Sequence, residues 1–197
     1  AGLAALIRAG QTAAGSLPAD TRPLEAIPAA PRTVDEHGFS LLPLSFGQQR
    51  LWCLDRLDPG SPLYNNFAAL RLTATGGSTG PAIDATRLQA ALAEVVRRHE
   101  VLRTTFPEYD GTPVQLIAPA ANAVAGLPWV QADTEQEFLA AVTTGFDVTT
   151  EWPVRAAVWR RHDEEYLFAV VLHHIGADGE SMLPLVRDVL TLSLIHI

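Results

Sequence analysis

The stretch EYLFAVVLHHIGADG, Glu165 to Gly179, decides the fold. Its first ten residues alternate with a period of two. Tyr166, Phe168, Val170, Leu172 and His174 share one face, and Leu167, Ala169, Val171 and His173 share the other. One histidine can face a cavity while its neighbour packs behind the strand. The two histidines leave the strand in opposite directions, which argues against a metal ion held by both rings, and no other metal site is expected.

Past His174 the chain reads Ile175-Gly176-Ala177 and then Asp178-Gly179, a pair with strong turn preference, before an apolar helix with Ser181 as its expected N-cap and Pro184 in its first turn. A histidine at a strand end, with a carboxylate four residues on, is an arrangement suited to chemistry. The carboxylate either orients the ring or holds the turn by pairing with a distant arginine.

Working outward, Val154 to Arg160 is a further strand, and Thr134 with Glu137 forms a capping box for a helix carrying Phe138, Ala141 and Val142. Val114 to Ala118 is a short strand. Asp84 opens the clearest helix, with Leu88, Leu92, Val95, Val96 and His99 at helical spacing. Beyond it, Leu102 and Phe106 suit a core, whereas Arg103 lies in a stretch suited to burial and so requires an anionic partner. Asp178 is the attractive one. Asn66 to Thr73 alternates as a strand, with Ala68, Leu70 and Leu72 on one side, and Ser45 caps a helix that ends at Asp58-Pro59-Gly60. Cys53, among Leu51, Leu54 and Leu57, is expected to be a small buried hydrophobe. The GGxxG run after Ala74 lacks nucleotide-fingerprint spacing and reads as a long loop. Strands mixed with helices of this length indicate an α/β (α+β) sandwich, one sheet layered with helices.

The composition fits a single core. The chain has 197 residues, 48% of them hydrophobic, and a mean hydropathy of +0.13. A single cysteine excludes an internal disulfide framework. A formal charge of -8 argues against a nucleic-acid partner. With no membrane-length apolar run and no signal peptide, a cytoplasmic location is expected. Residues 1–9, AGLAALIRA, form a short helical stub, and residues 10–40 a Pro/Ala-rich linker, so that the folded part is expected over 41–191. Residues 192–197, inside the nearly non-polar LTLSLIHI, fit a surface helix poorly and read as a truncated or non-native tail. His196 therefore carries no functional weight.

Three stretches in order carry a resemblance. LPLSFGQQRLWCLDRLDPGSPLYN from Leu42 to Asn65, RHEVLRTTF from Arg98 to Phe106, and HHIGADG from His173 to Gly179 resemble the motifs of nonribosomal peptide synthetase condensation domains. The resemblance extends from about Leu41 to Leu190, the first of the two lobes such a domain has. It implies the N-terminal lobe of the chloramphenicol acetyltransferase-like fold. It also implies that an aminoacyl amine attacks a donor acyl or peptidyl thioester to form an amide. It further implies that no cofactor is bound directly and that 4'-phosphopantetheine is presented by partner carrier domains.

The same resemblance makes His174 the catalytic residue, either as a general base or as a group that positions the amine. His173, Asp178, Gly179 and Arg103 support the loop. The family's motif aspartate pairs with an arginine, and Arg103 and Arg98 are the two candidates here. Gly179 is expected to need a positive φ or a close backbone approach. The implied partners are an upstream donor and a downstream acceptor carrier domain, a C-terminal lobe and a neighbouring adenylation domain, with the stub at residues 1–9 as the end of a carrier helix. Heterocyclising relatives replace the leading histidines, epimerising ones have a tryptophan after the motif, and dual-function ones add an early histidine motif. This chain follows none of these, which points to the elongating type, and without a second lobe it is expected to be inactive alone. A free-standing CoA-dependent acyltransferase and a non-catalytic carrier-docking module are the alternatives.

Overall fold

Strand β9, Glu165–His173, is hydrogen-bonded on both sides and buried on both faces. The computed structural model describes residues 31–73, 83–162 and 165–195. The stub, most of the linker, the GGxxG loop and His196 lie outside the described residues. Around β9 runs a four-stranded sheet in the order β3 (Asn65–Thr73), β9, β8 (Val154–His162), β7 (Trp129–Ala132). It is antiparallel except for β7 and β8; the short helix α3, Ala123–Gly126, precedes β7, and the crossover helix α4, Glu135–Thr143, joins the parallel pair.

The period-two reading holds residue by residue. Phe168, Val170 and Leu172 join one core with Leu88, Leu92 and Val96 of α2 (Ala85–Arg98) and Leu185 and Val189 of α5 (Gly179–Ile195). Ala169 and Val171 join a second core with Phe138 and Val142 of α4, Phe106, Phe146 and Leu44. Burying one large side chain removes enough apolar surface to contribute about 1.5–3 kcal/mol, and β9 buries such groups on both sides.

A second sheet departs from the single-sheet expectation. Strands β1 (Thr33–Val34), β2 (Ser40–Pro43), β6 (Thr112–Ile117) and β4 (Thr104–Thr105) pair in that order, and β5 (Glu108–Tyr109) forms a hairpin with β6. These strands are mostly short, with weak alternation, which is why the sequence pattern passed over all but β6. β1 lies ahead of Leu41, within the stretch expected to be linker. Thr33 pairs with Leu41, and Arg32 bridges Glu100 at 2.7 Å.

Helix α1, Phe46–Leu57, starts as its caps dictate: Ser45 accepts from the Gln48 amide, and Gln48 returns the bond to the Ser45 amide. Its inward stripe is Gln48, Leu51, Trp52 and Asp55, the last only 4% exposed. Cys53 lies on the opposite side and is exposed, contrary to expectation, because its helical phase differs from that stripe. His99, placed on the core face of α2 by spacing, is the C-cap and is exposed, since the helix stops before it. Thr134 caps α4 as expected, but Glu137 reaches the Asp133 amide rather than closing the box. At the other end of the chain, α5 continues through Leu192, which packs half-buried against the first core.

Phe168→Ala, which empties the helix-facing side of the central strand, should cost about 3–5 kcal/mol. A urea titration would show this as a lower midpoint, and an unchanged midpoint would contradict the two-sided burial of β9.

Candidate active site

The chain passes from β9 into α5 through a tightly pinned loop. The His173 amide donates to Pro153 O at 3.1 Å, the His174 amide to Tyr64 O at 2.8 Å, and the Gly176 amide to His173 O at 3.0 Å. Flanking segments of β8 and β3 thus grip the end of β9, and Ile175 anchors the loop in the second core.

The two histidines are fixed in opposite tautomers by their neighbours. His174 is exposed, and its Nδ1 lies 3.0 Å from Ala177 O. A carbonyl oxygen only accepts, so Nδ1 of the neutral ring carries the proton and Nε2 presents a lone pair. His173 is fully buried, and its Nδ1 accepts from the Ile175 amide at 3.1 Å, so its proton sits on Nε2. Edge-on Tyr64 and Phe146 flank that ring, each at 6.1 Å between centroids. Burial first, and then the neighbouring His174, push the His173 pKa down to about 4.

Asp178 differs from expectation. Its carboxylate accepts from the Ser181 hydroxyl at 2.6 Å and the Ser181 amide at 2.9 Å, and the Ser181 hydroxyl accepts weakly from the Asp178 amide at 3.4 Å. Asp178, not Ser181, is therefore the cap of α5, and Ser181 is its third-position partner. These bonds, the hydroxyl's first, hold the Asp178 carboxyl below the usual carboxylate range. Both bonds to the carboxylate land on Oδ1, and among the described residues no arginine lies within ion-pair distance of it.

Neither arginine named for it is paired with it. Arg103 is buried as expected, but it donates to Ala118 O and lies 3.7 Å from Glu100. Arg98 shares Glu94 with Arg97, and the pair pulls that carboxyl down to about 2. Gly179 needs neither a positive φ nor close approach: it opens α5, and a Cβ there meets nothing within 4 Å. The glycine the loop requires is Gly176, where a Cβ would sit 2.7 Å from Pro153 Cγ.

Two further residues support the site without having been singled out. Asp55 of α1 lies 4.0 Å from His173 Nε2. Arg155 of β8 donates to the carbonyls of Ala141, Thr144 and Gly145 and lies 4.4 Å from the Phe146 ring, holding that ring against His173. A charged residue on the inward stripe of α1 was a readable signal for Asp55; nothing comparable marked Arg155. A cavity of about 270 Å³ is lined by Gly176, Ala177, Ser181, His99 and Leu185. His174 does not line it. Among the described residues no cluster of His, Cys, Asp or Glu could hold a metal ion, and no helix is long and apolar enough to cross a membrane.

A mixed sheet layered with helices and a histidine at the end of its central strand defines a lobe of the chloramphenicol acetyltransferase-like fold, a fold shared with the solved condensation domains the chain resembles. Residues 40–193 match the family described as the condensation domain, and the chain belongs to that family. Among its relatives, a probable non-canonical nonribosomal peptide synthetase, CymA of Salinispora arenicola, is 44% identical over 152 residues, 77% of this chain and 2% of that protein. The isonitrile lipopeptide synthase of Mycobacterium tuberculosis is 42% identical over 153 residues, 75% of this chain and 6% of that protein. The chain thus spans a small fraction of these relatives. Among solved structures, the X-domain from teicoplanin biosynthesis superposes with a TM-score of 0.63 at 31% identity, over 86% of this chain and 34% of that one.

Two predictions follow from the loop. Gly176→Ala should cost about 1–3 kcal/mol by overpacking against Pro153, whereas Gly179→Ala should stay within about 0.5 kcal/mol; equal effects in a denaturant titration would refute the assignment. The second concerns acid. With His173 at about 4 in the fold against 6.5 for the ordinary ring, the unfolded chain takes up the proton first as pH falls. The fold therefore loses about 3 kcal/mol between roughly pH 6.5 and pH 4 from this group. His173→Gln should flatten that part of the stability profile.

Proposed function

We propose that His174 is the catalytic residue of an elongating condensation reaction between two carrier-bound thioesters. The observation that carries this reading is the tautomer of His174: its Nδ1 proton is committed to Ala177 O, so an exposed ring presents a bare Nε2 at the end of a strand pinned on both sides. Such a nitrogen accepts a hydrogen bond from an amine and fixes its orientation.

The reaction balances without an external reagent. The acceptor amine nitrogen attacks the donor thioester carbonyl, the C–N bond forms, and the C–S bond breaks. The amine proton, accepted at His174 Nε2, passes to the departing thiolate. General-base assistance contributes about 10²–10⁴-fold, whereas oriented presentation reaches effective molarities of about 10⁵ M or more. Positioning of the two arms therefore does more than the base, and His174 sharpens a step that a thioester already favours. The phosphopantetheine arms, the carrier and adenylation domains, a second lobe and a cytoplasmic setting belong to the same reading, supported by the synthetase relatives.

The similarity to the X-domain favours a second reading. An X-domain has been solved in complex with OxyB, so a docking role is open to this lobe as well. The test is made on the parent domain, this segment joined to its own downstream lobe, with loaded donor and acceptor carriers and intact-protein mass as readout. The acyl mass should move to the acceptor carrier, and His174→Ala should slow that transfer by about 10²-fold without abolishing it. An unaffected rate would remove His174 from the chemistry. No transfer, with carriers still bound, would favour docking; consumption of soluble acyl-CoA with a small amine would favour a free-standing acyltransferase.

A further inference from the structure

Two buried polar groups face each other behind the catalytic loop. Asp55 is the one buried residue of α1, 4% exposed on a helix that is otherwise half-buried or open. Opposite it stands His173, fully buried, whose Nε2 has no hydrogen-bond partner among the described residues. The distance from Asp55 Oδ1 to that nitrogen is 4.0 Å. A buried carboxyl and a buried imidazole N–H are each costly alone, by desolvation and by the missing bond. Neither has a packing reason to be there, since an apolar residue would fill the inward position of α1 with less penalty.

The proton arrangement makes the pairing directional. His173 Nδ1 accepts from the Ile175 amide, which favours the ring proton on Nε2, the nitrogen that faces Asp55. An acceptor at Asp55 stabilises that tautomer. The opposite tautomer would set Nδ1–H against the Ile175 N–H, two donors facing each other, and would release the turn that begins one residue before His174. Burial first, and then Asp147, raise the Asp55 pKa, with Arg56 opposing; protonated or not, the carboxyl keeps an oxygen that accepts. Asp147 is itself engaged by Thr149 and Thr150.

We infer that Asp55 is a positioning residue, which fixes the Nε2–H tautomer of buried His173 and through it the turn from which His174 presents its free nitrogen. The effect on transfer rests on the reading of His174 given above; the effect on the His173 ring does not.

Two measurements separate them. In the 197-residue chain labelled with [15N]histidine, the His173 ring should show the Nε2–H tautomer with a slowly exchanging proton. Asp55→Asn, which keeps an acceptor oxygen, should retain the slow exchange, and Asp55→Leu should speed it and shift the ring toward a mixture of tautomers. A wild-type His173 in the Nδ1–H form, or a folded Asp55→Leu variant with an unchanged ring signal, would overturn the inference. In the parent domain with loaded carriers, Asp55→Leu should lower kcat about tenfold with KM for the acceptor carrier unchanged, and Asp55→Asn should restore most of it. An unchanged kcat in Asp55→Leu beside an active wild type would overturn the positioning role. An inactive wild type would count against the reading of His174 and leave the ring measurement to decide the role of Asp55.

Discussion

The burial of β9 on both faces governs this structure. A strand packed against helices on one side and a second apolar cluster on the other cannot slip by one residue without sending every side chain to the wrong core. Pairing to β3 and β8 along its length locks the register further. Since His173 and His174 continue the same alternation, the register that fills two cores also decides which imidazole is buried and which meets solvent. Stability and site geometry are here one constraint.

Elements with long, strong periodicity were legible in the sequence. The helix from Ala85, the alternation of β9 and the caps at Ser45, Asp84 and Thr134 follow from spacing and local hydrogen-bond chemistry. Strands of two to four residues carry too few side chains for a period to show, so β1, β2, β4, β5 and β7 went unread, and with them most of the second sheet. Cys53 shows how composition misleads: leucines flank it, but the helical phase that faces the core passes through Trp52 and Asp55.

Charge placement was the less legible half of the site. Burial of Arg103 followed from its apolar surroundings, but its partner did not, because a backbone carbonyl can satisfy a guanidinium and no pattern of residue types announces one. Asp178 was expected to seek a cation, whereas a helix start three residues wide supplies its donors locally. Arg155 makes the same point from the other direction. Its guanidinium ties down one carbonyl in the last turn of α4 and two in the α4–β8 connection, and the residues on its own strand give no hint of it.

The opposed tautomers of the neighbouring histidines bear on where a proton can travel. Each ring's Nδ1 ends at the backbone, one as donor and the other as acceptor, and a carbonyl oxygen passes no proton onward. The rings point to opposite sides of the sheet, so no relay joins them. On the reading proposed for His174, a proton taken by its ring leaves outward, to the departing group or to bulk water. The two neighbouring rings thus form no proton path from one face of the sheet to the other.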